Sequence, residues 1–525
     1  MKTGGRNFGK ESSPRVFVRQ STGLVKNASF LDAVSINISN MSAGAALATI
    51  GFTTVLLSSM AGVNLVIASI LAFILMLPQL IIYTIMNRRV PRTGGDYVWT
   101  SRIFGGALGG SLALMGYVFE TMAYFALIAL STVFAIGSVG VALGKSSFLG
   151  LALPANTSGS LPLLQFIIAA VLFAILIYIN IVRPKVGYKL VTVFVSFGII
   201  MLLVSIAVLL LAGRPGVESY ISSLQSTGFN ETYSQVAASG GNGGTTLSAV
   251  LFLLPFFAIF VYPWIDASPA ISSEIRGKKG IKWAIPVASL IVMLLVTGSF
   301  AAMYYAGGTR FINGALSNPT LVFDYSFNFW TLAMGVTGSY LLKVLIGLGW
   351  IAWDIAILAY GIIVFSRYVF AMAFDRFLPE RLAHISPRYG SPINAHLLDL
   401  AITVVLIALA TFIYGPFSSL YGAVVAAMIY FAFVGIAAAV YGIKNESQAL
   451  TKGALVVFGI LTTLVFAYIT YQFLAYPSIW GGNALAYGYV VVSFLVGIVL
   501  YAVSKKRYAK RGIDIGLAFK EIPPE

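Results

Sequence analysis

Three carboxylic acids, Glu120, Asp266 and Asp354, stand inside long runs of apolar residues, and they are the only ones of the 17 acids placed so deep. A buried acid in such a setting binds a proton, a cation, an ammonium group or freed backbone. Nothing cheaper holds it there, because a mid-helix Asp opposes membrane insertion by about 2.5–3.5 kcal/mol on insertion scales. The sequence reads no Lys, Arg or His at comparable depth, which favours traffic in cations or protons over anions. Glu120 also reads as a neutral acid in a structural hydrogen-bond network. Tyr262, Trp264, Trp350 and Trp353 flank the acids as pocket walls or as apolar bulk.

Two clusters of polar and helix-breaking residues accompany them. "SINISNMSAGAA" (35–46) crowds Asn37, Ser39, Asn40, Ser42 and Gly44 into a segment that would otherwise be Leu and Val. "FFAIFVYPWIDASPA" (256–270) sets Pro263 and Pro269 around Asp266. Proline removes an amide donor and clashes with the preceding turn, so the second segment is expected to break, as is the first. Freed peptide groups inside hydrocarbon must be met by protein, water, an ion or a solute. The blander readings are a small-residue packing face for the first cluster and a simple kink for the second.

The elements that carry these residues follow from hydropathy and charge. Windows of about 20 apolar residues, enough to cross roughly 30 Å of hydrocarbon, predict an all-α integral membrane protein with 12 transmembrane helices. They fall near 30–57, 63–86, 107–139, 162–182, 190–212, 249–273, 283–307, 339–366, 395–414, 418–443, 453–475 and 486–504. Of the 33 Lys and Arg residues, 29 lie in the termini and alternate loops and only Lys145, Arg214 and Arg310 in the loops opposite, Lys343 being left near a helix end. That asymmetry places both termini in the cytoplasm. The hydrophobic share of 59% and charged share of 10% lie outside the soluble range, and the net charge of +16 is explained by insertion and by anionic membrane lipid, with no nucleic acid required. The first 26 residues are too polar for a signal sequence, so the first apolar segment is expected to remain as a helix.

The predicted organisation is a cytoplasmic tail (1–29), a first five-helix unit (30–212), a Gly/Ser-rich extracellular connector (213–248), a second unit (249–443), two further helices (444–504) and a cytoplasmic tail (505–525). Two units of five must lie in opposite orientation, the inverted 5+5 repeat of many secondary transporters, with the first helix of each broken. No HExxH, GxGD or phosphate-binding GxxxxGK[ST] pattern is present, neither His384 nor His396 has metal-ligand spacing, and the chain has no Cys. Hence no enzymatic site, metal or cofactor is expected, and energy would come from a gradient or from exchange. Oligomeric state is not readable.

"SRYVFAMAFDRFLPERLAHISPRYGSPINA" (366–395), "PRTGGDYVWTSRIFGGALGG" (91–110) and "FFAIFVYPWIDASPAISSEIRGKKGIKWAIP" (256–286), with Glu274 before a basic segment, resemble the amino acid-polyamine-organocation transporters. The resemblance implies a leucine-transporter-type fold in the plasma membrane, working by alternating access as a symporter or antiporter. It implies a substrate carboxylate at Ser42, Ala43 and Gly44 and an amine at Ile36, Asn37, Phe260 and Val261, with Asn40, Tyr262, Trp264 and Asp266 around them. Some proton-coupled relatives use a Lys in helix 5 and sodium-coupled ones use hydroxyls on helix 8. Neither occurs here, which leaves Asp354, with Glu120, to couple transport to H+ or Na+, protons being preferred. The expected substrate is an amino acid or related amine. A polyamine or cationic amino acid exchanger is the rival within the class, and a subunit of a proton-conducting complex the rival outside it.

Overall fold

The computed structural model describes residue 24 and residues 26–522, apart from 58, 156, 242, 243 and 415–420. Most of the expected N-terminal tail, the tip of the 213–248 segment, the last three residues and the connection at 415–420 lie outside the described residues.

Among the described residues, 11 helices are long and apolar enough to cross a membrane: Phe30–Thr54, Leu65–Arg89, Asp96–Ala142, Pro162–Val182, Pro184–Gln225, Gly277–Gly307, Tyr340–Phe374, Ile393–Ile413, Gly422–Asn445, Ala449–Ala475 and Ala484–Ala509. Where the sixth span was expected, the chain forms an apolar helix too short to count among these, Leu247–Phe260, followed by an unwound stretch and the helical turn Ala267–Ala270. Below, these eleven helices and the short broken segment are numbered together in chain order as spans one to twelve, the short segment taking the sixth place by position alone.

Helix starts are set by side chains. Ser29 and Asp32 form a reciprocal capping box on the first span, Asn64 accepts from the Val66 and Ile67 amides on the second, and prolines open the fourth and fifth. Such caps satisfy amides that the first turn leaves unpaired.

Burial sorts the helices into an inner and an outer set. The apolar window of the first span is 100% buried and those of the third and eighth are 83% buried, whereas the fourth, eleventh and twelfth are only 22–28% buried. The outer helices leave large apolar residues such as Leu211, Leu163 and Tyr178 uncovered, as a hydrocarbon solvent requires. The tenth and eleventh spans approach closely at Gly435 and Gly459, where an added Cβ on either would lie 2.6 Å from the other's carbonyl oxygen.

Short backbone pairs tie the first span's surroundings to the sixth's. Ala28 N–H donates to the Glu274 carbonyl and Arg276 N–H to that of Ala28 at one end, and Thr246 N–H donates to Gly62 at the other.

The 213–248 segment is more ordered than its Gly and Ser content suggests. The fifth span kinks at Gly213 and runs on to Gln225 with Val217, Tyr220 and Ile221 buried, and the capped helix Tyr233–Ser239 packs on Thr309–Ser317. Gly240 has room only for a hydrogen there, since a Cβ would fall 1.8 Å from the Arg310 carbonyl.

Candidate functional site

The first span is interrupted at Met41–Ser42, where Ser42 takes the left-handed conformation (φ 45°, ψ 35°). For a residue with a Cβ this costs about 1–2 kcal/mol. The Ser42 hydroxyl steadies the turn by donating to the Asn40 carbonyl at 3.0 Å, and Tyr124 from the third span donates to the Ser42 oxygen at 3.2 Å. The helix restarts at Ala43 and makes its first internal bond from Ala46 N–H to Ser42. The amides of Ala43, Gly44 and Ala45 therefore have no acceptor among the described residues, at a helix start that carries partial positive charge. Gly44 lies under the Trp353 ring, 2.4 Å from where a Cβ would stand, and its carbonyl accepts from Trp330 Nε1 at 3.0 Å.

The sixth span stops at Phe260. Val261 (φ −127°, ψ −87°) and Tyr262 both send their amides to the Phe257 carbonyl, and helical bonding then ceases until Ala270 N–H reaches Asp266. Side chains take over the vacated backbone. Gln79 of the second span donates to the Pro263 carbonyl at 3.0 Å, and Trp264 Nε1 folds back to that of Ile259 at 2.7 Å.

The two breaks are stapled to each other. Asn37 donates to Ser268 Oγ at 2.7 Å and accepts the Ser268 amide at 2.9 Å. Asn40 donates to Asp266 Oδ1 at 3.0 Å and accepts Tyr360 OH from the eighth span. Removing Asn37 leaves two buried groups of Ser268 unpaired, so Asn37→Ala is expected to destabilise the protein by about 2 kcal/mol. Thermal unfolding in detergent of Asn37→Ala, Ser268→Ala and the double variant checks this, and the double loss should be well below the sum.

The three acids of the interior each keep an oxygen without a partner among the described residues: Glu120 Oε1, Asp266 Oδ2 and Asp354 Oδ1. Glu120 follows directly on the π-helical turn Leu114–Phe119, a local widening of the helix often found at working sites. Asp354 accepts from Ser131 of the third span at 3.3 Å.

Ser131 also lines a cavity of ≈ 20 Å³ bounded by Thr49, Tyr124, Leu127, Ile128, Ile259, Phe260 and Val424. That is room for about one water. The cavity lies at the meeting of the restarted first span, the third span and the end of the sixth helix, and Trp264 stacks on its wall residue Tyr124 with ring centres 6.0 Å apart.

The structure thus brings together Asn40, Ser42, Phe260, Trp264 and Asp266, directly or through Tyr124, with Ala43 and Gly44 following Ser42 in the chain. It places Tyr262 elsewhere, its hydroxyl on Ser69 at 2.6 Å. Ile36 and Asn37 stand inside an unbroken helix that continues to Asn40, and the Asn37 carbonyl accepts Met41 N–H at 3.0 Å.

The expectation of no buried base is corrected. Arg367 lies inside the eighth span, which runs on to Phe374, and is buried in a bidentate pair with Glu274 at 2.7 and 2.8 Å. Tyr188 adds a third bond to Glu274 at 3.1 Å. This arginine is committed to Glu274 and neutralises none of the three interior acids. His396 is likewise buried within the ninth span.

Sequence reasoning also missed Asp96, buried at the start of the third span among Tyr83, Tyr368 and Tyr430, and Asp375, which Arg102 grips with both terminal nitrogens. Among the described residues no group of three or more His, Asp or Glu side chains gathers to hold a metal ion.

A bundle of many apolar helices, two of them interrupted at a buried polar centre, is a multi-pass membrane protein. A profile of the amino acid permease family matches residues 29–503, and the chain belongs to that family, within the amino acid-polyamine-organocation superfamily. It is a transporter rather than an enzyme, and its family role is amino acid transport. No curated protein matches the chain.

Proposed function

We propose that this permease carries a neutral, apolar amino acid together with a proton across the plasma membrane by alternating access, with both termini in the cytoplasm. Twelve spans form two inverted units, 30–212 and 249–443, of the leucine-transporter type, and the sixth counts as a span despite its break. The substrate carboxylate binds the amides of Ala43, Gly44 and Ala45, and its side chain enters the cavity beside Phe260.

The observation that carries this reading is the set of three amides with no acceptor among the described residues, at the start of the helix whose Thr49 lines an apolar cavity and beside Ser42, which bonds the cavity wall residue Tyr124. Amides at a helix start suit an anion. The cavity walls are aliphatic, aromatic or hydroxyl-bearing with no charged side chain among them, which favours a neutral amino acid over arginine or a polyamine. At one water's volume the cavity must widen to admit a substrate, and the unwound stretch 261–266 together with the Ser42 turn supplies the hinge. Asp354, one residue behind the cavity wall at Ser131, is the proton carrier, with Glu120 and Asp266 as the further interior acids.

Uptake of labelled leucine into proteoliposomes tests this. An inward proton gradient should drive accumulation at least tenfold above the de-energised level, with arginine and putrescine competing poorly. Uptake blocked by putrescine and not by unlabelled neutral amino acids would replace this reading with the polyamine exchanger.

A further inference from the structure

We propose that Asp96 is a proton-binding site of the transport cycle, one that locks the cytoplasmic exit while ionised and releases it when protonated. The proposal rests on the transport reading above.

The Asp96 carboxylate is fully buried and collects hydroxyl donors from three other spans: Tyr83 of the second on Oδ2 at 2.5 Å, Tyr430 of the tenth on Oδ1 at 2.9 Å, and Tyr368 of the eighth on Oδ1. One side chain thereby ties four spans. A carboxylate only accepts, so three incoming O–H groups suit its ionised form, and its place in the first turn of a helix suits it further. A proton on Asp96 turns one oxygen into a donor. One of the three bonds must then reverse, and the displaced tyrosine's own hydrogen needs another acceptor. Neither Tyr83 nor Tyr368 has a second hydrogen-bond partner among the described residues. In a dry interior an orphaned hydroxyl is expensive, so protonation loosens the joint.

The joint is packed against the turn that follows the break in the sixth span. Gly94 N–H donates to the Ala270 carbonyl at 2.9 Å, Thr93 bonds Ser273, and a Cβ on Gly95 would stand 2.9 Å from the Ala270 nitrogen. The start of the third span is thus pressed against the inner half of the sixth. The titratable groups facing Asp96 are Tyr83, Tyr368 and Tyr430, then Tyr117, whose ring stacks on Tyr368 at 3.6 Å, and Asp266 of the sixth span, whose carbonyl accepts the amide of the same Ala270 that Gly94 bonds. In the cycle, a proton that arrives with substrate neutralises Asp96, the four spans part, and the proton leaves to the cytoplasm, which restores the carboxylate and its three donors.

The chain has no cysteine, so a single Ala270→Cys variant reports directly on this joint. Ala270 is buried in the closed form. In reconstituted full-length protein, labelling by a membrane-impermeant maleimide from the cytoplasmic side is measured at pH 7.5 and 5.5. Each rate is normalised to the unfolded protein at the same pH. The Ala270→Cys parent should label at least fivefold faster at pH 5.5. Adding Asp96→Asn, which mimics the neutral acid, should bring the pH 7.5 rate to that level and abolish the pH dependence. Adding Tyr430→Phe, which removes one donor and leaves the acid, should raise the pH 7.5 rate at least threefold and serves if Asp96→Asn does not fold. A pH-independent parent, or variants within twofold of it at pH 7.5, would overturn the proposal. No amino acid is used, so failure here is separable from failure of the uptake experiment.

Discussion

Asp354→Asn should abolish proton-driven accumulation of amino acid while sparing exchange of substrate across the membrane. Asparagine keeps the shape of the acid and an oxygen to accept the bond from Ser131 at 3.3 Å but does not titrate, so it takes up and releases no proton. Accumulation in proteoliposomes under an inward proton gradient is expected to fall at least tenfold, about 1.4 kcal/mol or more of lost coupling. Counterflow of labelled against unlabelled substrate, which requires no net proton movement, should stay within about threefold because the amides of Ala43 to Ala45 and the cavity walls are untouched. Equal loss of both would make Asp354 a structural residue. Proton-driven accumulation at the parent's level would place the coupling group elsewhere, with Asp96, Glu120 and Asp266 next in line.

The second large effect concerns stability. Arg367 and Glu274 are buried with side-chain exposures of 4% and 2%, and their two parallel bonds join the eighth span to the tail of the sixth. Arg367→Met strands a buried carboxylate that keeps only the Tyr188 hydroxyl, and should destabilise the protein by about 3–5 kcal/mol. The variant should leave the membrane aggregated or melt far below the parent in detergent. The double variant Arg367→Met with Glu274→Leu should recover much of the loss, because two apolar side chains of similar bulk need no counter-charge. A single variant with the parent's melting point would show that the pair holds nothing together.

The same pair shows how far the sequence could be read. Glu274 is visible as the acid ahead of a basic segment, but Arg367 reads as part of a loop because the apolar window ends near residue 366 and a charged residue there looks like a helix end. Its partner is 93 positions away in the chain, and only the fold brings the two together. Asp96 was hidden for the same reason: Thr100, Ser101 and Arg102 lower the hydropathy of Asp96–Gly105, so the third span was expected to begin at 107, and its tyrosines come from as far as 334 residues away.

The helix breaks were legible because their cause is local. Ser, Asn and Gly in the first span, and two prolines around an acid in the sixth, disfavour a continuous helix wherever the chain goes. The first break falls at Met41–Ser42, inside the 35–46 cluster, and Asn37 and Asn40 ahead of it remain helical while Ser268 and Tyr360 bond their side chains. The 213–248 segment carried a helical signal of its own in Val217, Tyr220 and Ile221 at i, i+3, i+4 spacing, which its Gly-rich second half obscured.

The central claim is that the turn at Ser42 exposes peptide amides that grip a small solute. The measurement that meets it most directly is an experimental structure with the amino acid that most raises the protein's melting temperature. The account predicts the ligand carboxylate within hydrogen-bonding distance of the Ala43, Gly44 and Ala45 amides, with its side chain among Thr49, Leu127, Ile128 and Phe260. A first span that runs unbroken through residues 41–45, or a ligand bound away from those amides, would contradict it.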